Sequence, residues 1–217
     1  MDIEQARFNM IEQQIRPWDV LDPAVLTLLS VVKREDFVPP AYRALAFVDT
    51  EVPLPAGQEM LAPKVEARML QELTLQRHER VLEIGAGSGY MAALLAHRAQ
   101  HVITLERIPE LSQMARQNLQ RAAVRNATVV EGDGSGGLAT EAPFDAIVLS
   151  GSVADVPSAL LEQLKPGGRL IAIVGQLPIM RATLITRSGE HGFRSVELFD
   201  TVAPRLVGFP EPARFTF

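Results

Sequence analysis

Apolar positions recur along this chain in two textures. Up to about residue 63 prolines and isolated apolar residues break every regular pattern, whereas beyond it short apolar runs alternate with stretches of helical period. In the first part, Ile3, Met10, Ile11 and Ile15 fall at roughly helical spacing until Pro17 interrupts them. Asp22-Pro23 reads as an N-cap with proline at the first helical position, leading into Val25, Leu26, Leu28, Leu29 and Val32. Prolines at 39, 40, 53, 55 and 63, together with Gly57, predict irregular chain over 37–63, wrapped over a core.

From Lys64 the periodicity predicts a helix through Val65, Met69, Leu70 and Leu73, then a strand over 80–84 and a glycine-rich loop. A helix through Ala92, Leu94, Leu95 and Ala96 follows, then a strand over 101–105, a helix over 109–121 and a strand over 127–130. The segment 144–149 is apolar enough to be a strand buried on both faces. Asp155-Val156-Pro157 opens a helix ending near Lys165-Pro166-Gly167-Gly168, and residues 169–174 form a further strand. Segments 182–187 and 193–202, separated by Ser188-Gly189-Glu190-His191-Gly192, read as a hairpin-like pair closing a sheet edge. Strands alternating with helices predict an α/β fold: a mostly parallel, doubly wound sheet with an antiparallel C-terminal edge. Residues 1–63 form a helical and irregular extension on a ligand-binding domain over 64–217, the two making one compact unit.

Composition narrows the function classes. A net charge of -5 and a pI near 5.4 give no global basic field, which argues against nucleic acid as a partner. The chain has no cysteine, hence no disulfide, thiolate metal site or cysteine nucleophile. The histidines at 78, 97, 101 and 191 show no metal-ligand spacing, so no metal is expected. No run of about 18 apolar residues is present to span a membrane, and the first residues carry no apolar signal core. The expectation is a cytoplasmic protein. Trp18 reads as a packing anchor beside Pro17, and Ser88 lacks a histidine at the spacing a nucleophilic serine needs.

The chemistry concentrates at the loop Glu83-Ile84-Gly85-Ala86-Gly87-Ser88-Gly89-Tyr90. A strand running into glycines and then a helix lets backbone approach a ligand closely and offers unpaired N–H groups. Either a dinucleotide or S-adenosylmethionine suits that arrangement. The dinucleotide fingerprint needs glycine at its sixth position, and counting from Gly85 that position is Tyr90. Glycine at the fifth position, with Glu83 two residues upstream of the first, favours S-adenosylmethionine. Glu106 ends the next strand, where a carboxylate can accept both ribose hydroxyls, and Arg107 follows it. Asp133, in Glu131-Gly132-Asp133-Gly134, can accept from an adenine amino group. Turns capped by aspartate are the bland reading, but three such features at consecutive strand ends favour a ligand. The expected cofactor set is therefore Glu83, Gly85, Ala86, Gly87, Ser88, Gly89, Glu106, Arg107, Asp133 and Gly134.

Several segments carry a more specific resemblance. Met10-Ile11-Glu12-Gln13-Gln14-Ile15 resembles the N-terminal helix signature of the protein-L-isoaspartate O-methyltransferases, and Val32-Lys33-Arg34-Glu35-Asp36-Phe37-Val38-Pro39 resembles their "VPRE-x-FVP" segment. Residues 81–90, Gly132-Asp133-Gly134, Pro143-Phe144-Asp145 and Leu164-Lys165-Pro166-Gly167-Gly168-Arg169-Leu170 match in order and spacing. The resemblance implies a Rossmann-like class I methyltransferase fold and S-adenosylmethionine as cofactor. It also implies methylation of the α-carboxylate of an L-isoaspartyl residue in a damaged protein. Gly85, Gly87 and Gly89 would then line the methionine part of the cofactor, Glu106 the ribose and Asp133 the adenine. Asp49 matches an aspartate the family carries near its active site, and it equally suits a turn cap.

Two places depart from the family. Where it usually has "G-x-T-I-S-x-P", with the serine near the transferred methyl group, this chain reads Gly57-Gln58-Glu59-Met60-Leu61-Ala62-Pro63. Leu61 takes the serine position and Glu59 the threonine position. The strand after Asp145 ends Leu149-Ser150-Gly151-Ser152, where the family more often has an alanine pair. Methyl transfer to a carboxylate needs no general base, because the acceptor is already ionised at neutral pH, so no catalytic residue is assigned. The substrate-side candidates are Asp49, Glu59, Met60 and Leu61. A Glu59 facing the pocket would favour a neutral or cationic acceptor; one facing solvent would mean little. Three functions stay open: an isoaspartyl O-methyltransferase, a methyltransferase with another acceptor, and a protein that binds S-adenosylmethionine without turnover.

Overall fold

The computed structural model describes residues 2–189 and 192–211; His191 lies outside them. Helix α1 (Ile3–Met10) starts at Asp2, whose carboxylate accepts the N–H groups of Glu4 and Gln5. It widens into a π-helical turn (Ile11–Ile15), and the helical path stops after Pro17, at Asp19 with φ 60°. Helix α2 (Pro23–Val31) begins as its sequence suggests, with Asp22 accepting the Ala24 N–H and Pro23 in the first turn. The proline-rich stretch forms 3-10 turns at Arg34–Asp36, Pro40–Phe47 and Pro55–Gly57, and a minimal antiparallel pair, β1 (Val52–Pro53) with β2 (Glu59–Met60). Helix α3 (Pro63–Leu73) then buries Val65, Met69, Leu70 and Leu73.

The alternation follows: β3 (Arg80–Ile84), α4 (Tyr90–Ala96), β4 (His101–Glu106), α5 (Pro109–Arg121), β5 (Ala127–Glu131), β6 (Phe144–Val153), α6 (Ser158–Glu162), β7 (Leu164–Gln176), β8 (Ile179–Arg187) and β9 (Phe193–Thr201). The seven strands lie in the order β5-β4-β3-β6-β7-β8-β9. Pairings from β5 to β7 are parallel, and β8 and β9 add antiparallel. Strand order reverses between β3 and β6, which puts the carboxyl end of β3 at the switch point where such sheets bind ligands.

Because successive strand residues face opposite sides, the core has two halves. Val81, Val102, Val148 and Ile171 pack with α3, α4 and the N-terminal extension through Met10, Ile15, Leu29 and Phe37. Leu82, Ile103, Phe144, Ile147 and Leu170 fill the other face. The extension is thereby part of the main core, and Trp18 pins it further by meeting Phe199 of β9 edge to face at 5.2 Å.

The largest departures from the expected boundaries lie at β6 and β7. The helix near 155–168 ends at Glu162, and β7 begins at Leu164 opposite Phe144. Residues 165–168 loop out, since the next pair is Ala146 with Arg169. Strand β6 also continues beyond Leu149. Val148 pairs with Ile171 and Ser152 with Ile173, so four steps along β6 oppose two along β7. A bulge over 149–151 is the result, and no local propensity announces it.

Arg169 locks the base of the sheet. Its Nε and Nη2 donate to the Leu73 carbonyl at 2.8 and 2.6 Å, and its Nη1 and Nη2 pair with both Glu79 oxygens at 2.6 and 2.8 Å. Arg169→Ala strands the buried Leu73 carbonyl and Glu79 without the guanidinium. We expect a stability loss of about 3 kcal/mol, read as a shift in the urea midpoint. A loss below about 0.5 kcal/mol, typical of surface substitutions, would contradict that assignment.

Candidate active site

Strand β3 runs into the glycine loop with Gly85 at φ +93°, in the left-handed region where a side chain is strained. A Cβ there would also lie 2.7 Å from Leu206 Cδ2. The N–H groups of Gly85 and Ala86 donate to the Leu105 carbonyl at 2.9 and 3.2 Å, holding the turn against β4. Glu106, at the end of β4, completes the hold. Its Oε2 accepts the Gly87 N–H and its Oε1 the Ile108 N–H, both at 2.9 Å.

Beneath the loop sit buried ionisable groups. The Glu83 carboxyl is fully buried; Ser150 Oγ donates to its Oε1 at 2.7 Å, and its Oε2 has no partner. Burial pushes its pKa up to about 8, the Ser150 and Thr104 hydroxyls opposing the rise and the nearby Glu66 and Glu106 adding to it. Arg34 is equally buried. It pairs with Glu66, donates to the Leu61 carbonyl at 2.7 Å and stacks 5.1 Å from the Tyr90 ring centre. Burial also raises the Glu66 carboxyl, with Arg34 pulling it back in part. The Tyr90 hydroxyl is buried without a partner, and its pKa rises for the same reason.

Two adjoining cavities open at this strand end. The larger, about 640 Å³ with its mouth, runs past Gly85, Gly87, Glu106, Arg107, Gly132 and Gly134. The smaller, about 270 Å³, lies between β2 and the loop and is lined by Glu59, Met60, Leu61, Glu66, Glu83 and Tyr90 among others. The segment 204–209 covers the larger one. It is fastened by Ser152 N–H to the Pro204 carbonyl at 2.7 Å and Leu206 N–H to the Ser152 carbonyl at 2.9 Å.

Of the expected cofactor residues, Gly85, Gly87, Glu106, Arg107 and Gly134 line the larger cavity. Glu83, Ala86 and Ser88 line the smaller, with Gly85 and Gly87 facing both. Gly89 lines neither and caps α4 against Ala115. Asp133 is half exposed outside the lining: Oδ1 accepts the Ser135 N–H at 2.9 Å, and Oδ2 pairs with Arg107 at 3.2 Å. On the substrate side, Glu59 and Leu61 line both cavities and Met60 the smaller. Asp49 is elsewhere, paired with Lys64 at 2.6 Å. Leu54, Ile108 and the covering segment with Arg205 and Leu206 also line the larger cavity and carry no sequence signal, because short irregular chain has no period. Among the described residues no group of three or more His, Asp or Glu is arranged to hold a metal, and no helix is long and apolar enough to cross a membrane.

The family model described as Protein-L-isoaspartate(D-aspartate) O-methyltransferase (PCMT) matches residues 5–199. The chain belongs to this family. The protein-L-isoaspartate O-methyltransferase of Koribacter versatilis is 39% identical over 202 residues, 93% of this chain and 90% of that one. The enzyme of the same name from Methanoculleus marisnigri is 44% identical over 169 residues, 78% of this chain and 77% of its own. Among solved structures, a protein-L-isoaspartate O-methyltransferase superposes with a TM-score of 0.80 at 23% identity, over 93% of this chain and 66% of that one. A Plasmodium falciparum structure described as a putative member, in complex with S-adenosyl-L-homocysteine, superposes with a TM-score of 0.79 at 21% identity, covering 94% and 97%. The fold is that of a class I methyltransferase, and the family's cofactor is S-adenosylmethionine.

The residues present fit that cofactor. Glu106 ends β4 and lines the larger cavity, where a carboxylate would accept ribose hydroxyls, and the left-handed glycines Gly85 and Gly87 leave room for close approach.

The raised Glu83 pKa has a measurable consequence. Between the ordinary value near 4.5 and about 8, the folded protein keeps a proton the unfolded chain releases, so stability falls as pH rises through this window. Glu83→Gln abolishes that slope. Its melting temperature relative to the parent should climb steadily from pH 5 to pH 8; parallel curves would show Glu83 to be ionised throughout.

Proposed function

We propose that this protein methylates the free carboxylate of L-isoaspartyl residues in damaged proteins, using S-adenosylmethionine. The observation that carries the reading is the small chamber adjoining the glycine loop, whose carboxyl groups are largely neutralised. Glu83 has its pKa raised to about 8, and Glu66 is paired with Arg34, which leaves Glu59 as the uncompensated charge. A carboxylate acceptor therefore meets far less repulsion than three glutamates would suggest.

When bound, S-adenosylmethionine supplies an electrophilic methyl carbon on a sulfonium. Gly85, Gly87, Glu106, Arg107 and Gly134, which line the larger cavity, would hold it; transfer of the methyl to an acceptor oxygen would break the C–S bond, leave its electron pair on sulfur and need no proton movement. The protein's work is placement and exclusion of water. Glu106 holds the loop while presenting its remaining lone pairs to the larger cavity, and Leu54, Leu61 and Met91 keep the chamber wall apolar.

Glu59 favours a second reading, a neutral or cationic acceptor, because it is exposed at the junction of the cavities. One assay separates the two. Labelled methyl groups should pass to an isoaspartyl peptide and not to its aspartyl twin. Equal or absent labelling of the pair would defeat the repair reaction and move attention to Glu59.

A further inference from the structure

The methyl group must cross from one cavity to the other, and the wall they share consists of Leu54, Glu59, Leu61, Gly85, Gly87 and Ser150. An incoming carboxylate needs a hydrogen-bond donor there to fix its orientation. Leu54 and Leu61 have no polar side-chain atoms, and Glu59 is itself an anion. The N–H groups of Gly85 and Gly87 are committed to the Leu105 carbonyl and the Glu106 carboxylate. Among the described residues of this wall, Ser150 is left as the one side-chain donor.

Its placement has a structural cause. Ser150 sits at the centre of the β6 bulge, where four steps of backbone oppose two of β7. Bulges re-aim side chains that a regular ladder would direct elsewhere. Here the bulge brings Ser150 beside the glycine loop, its Cβ 3.8 Å from where a side chain on Gly85 would begin. A Cβ on the neighbouring Gly151 would meet Leu206 and the Pro204 carbonyl, and the bonds between Ser152 and the 204–206 segment hold the bulge from outside as well.

We propose that Ser150 is the acceptor-binding hydroxyl of this protein, donating to the non-attacking oxygen of the substrate carboxylate in place of a hydroxyl absent at Leu61. This rests on the isoaspartyl reading above. The hydroxyl now donates to Glu83 Oε1 at 2.7 Å, so its proton must become free. Glu83 provides for that: facing it are Ser150 from β6, Thr104 and Glu106 from β4 and Glu66 from α3, and no cation is among them. A neutral Glu83 carboxyl has its own proton to direct at Ser150 Oγ, which turns the serine hydrogen toward the acceptor. The methyl-transfer step is unchanged, and no proton leaves either residue.

The test uses the full-length protein with Ser150→Ala, and measures three quantities: methylation of an isoaspartyl peptide, S-adenosylhomocysteine affinity, and peptide affinity for the S-adenosylhomocysteine-loaded protein. The expected result is a loss of roughly ten- to a hundredfold in kcat/KM, equivalent to one hydrogen bond to a charged group. Peptide affinity should weaken about tenfold on the same grounds, with S-adenosylhomocysteine affinity within about twofold. Adding Leu61→Ser to S150A should recover part of the loss, which repair of a merely structural defect would not do. Retention of kcat/KM within about threefold, or a parallel loss of S-adenosylhomocysteine affinity, overturns the proposal. If the parent binds the peptide without methylating it, the isoaspartyl reading fails and the S150A effect on binding alone decides for or against Ser150. A parent that does not bind the peptide overturns both.

Discussion

The site depends on one carboxylate. Glu106 accepts the N–H of Gly87 with one oxygen and of Ile108 with the other, tying the glycine loop to the turn that follows β4. Hydrogen bonds to an ionised acceptor are about twice as strong as neutral ones. Together with the Gly85 and Ala86 bonds to Leu105, this pair fixes a loop whose glycines would otherwise leave its backbone free. Both bonds lie beside the larger cavity, which Gly87, Glu106 and Ile108 all line.

Below the clamp, charge is handled in a different way. Arg34, Glu66, Glu83 and Tyr90 lie almost wholly out of water, an arrangement that is expensive unless each charge is paired or lost. Arg34 and Glu66 pair, and Glu83 gives up its charge near neutrality. Arg34 also reaches the Leu61 carbonyl, so the pair that settles the electrostatics also holds the chamber wall in place. The N-terminal extension supplies Arg34, which makes a segment distant in sequence from the glycine loop a structural part of the site.

Much of this was legible in the chain. Strands β3, β4 and β5 were readable because apolar runs there end in glycine or acidic turns, and Asp22-Pro23 marked the start of α2 through local capping chemistry. The spacing of Gly85, Gly87, Gly89 and Tyr90 pointed to the right cofactor. Asp133 could not be placed from sequence, because its direction depends on the pairing with Arg107 across 26 positions. The β6 bulge was hidden for a similar reason: register is a property of two strands and cannot be read from one. Residues 165–168 looked like a turn between elements and are an excursion within a pairing. Leu206 and its neighbours carry no period, and only their contacts reveal a role.

Those contacts link distant positions of the chain. A Cβ at Gly85 would fall 2.7 Å from Leu206 Cδ2, and one at Gly151 2.9 Å from the same atom. Gly85 is further bound to glycine by its left-handed backbone, whereas at Gly151 the restriction is space alone. The freedom to substitute position 151 is therefore set in part by position 206, the Pro204 carbonyl at 3.1 Å supplying the rest. A smaller residue at 206 relaxes the requirement, and the two changes made together are gentler than their separate effects would sum to. Variation at the floor of the cavity is thus coupled to variation in the segment above it, with Leu206 as the shared neighbour.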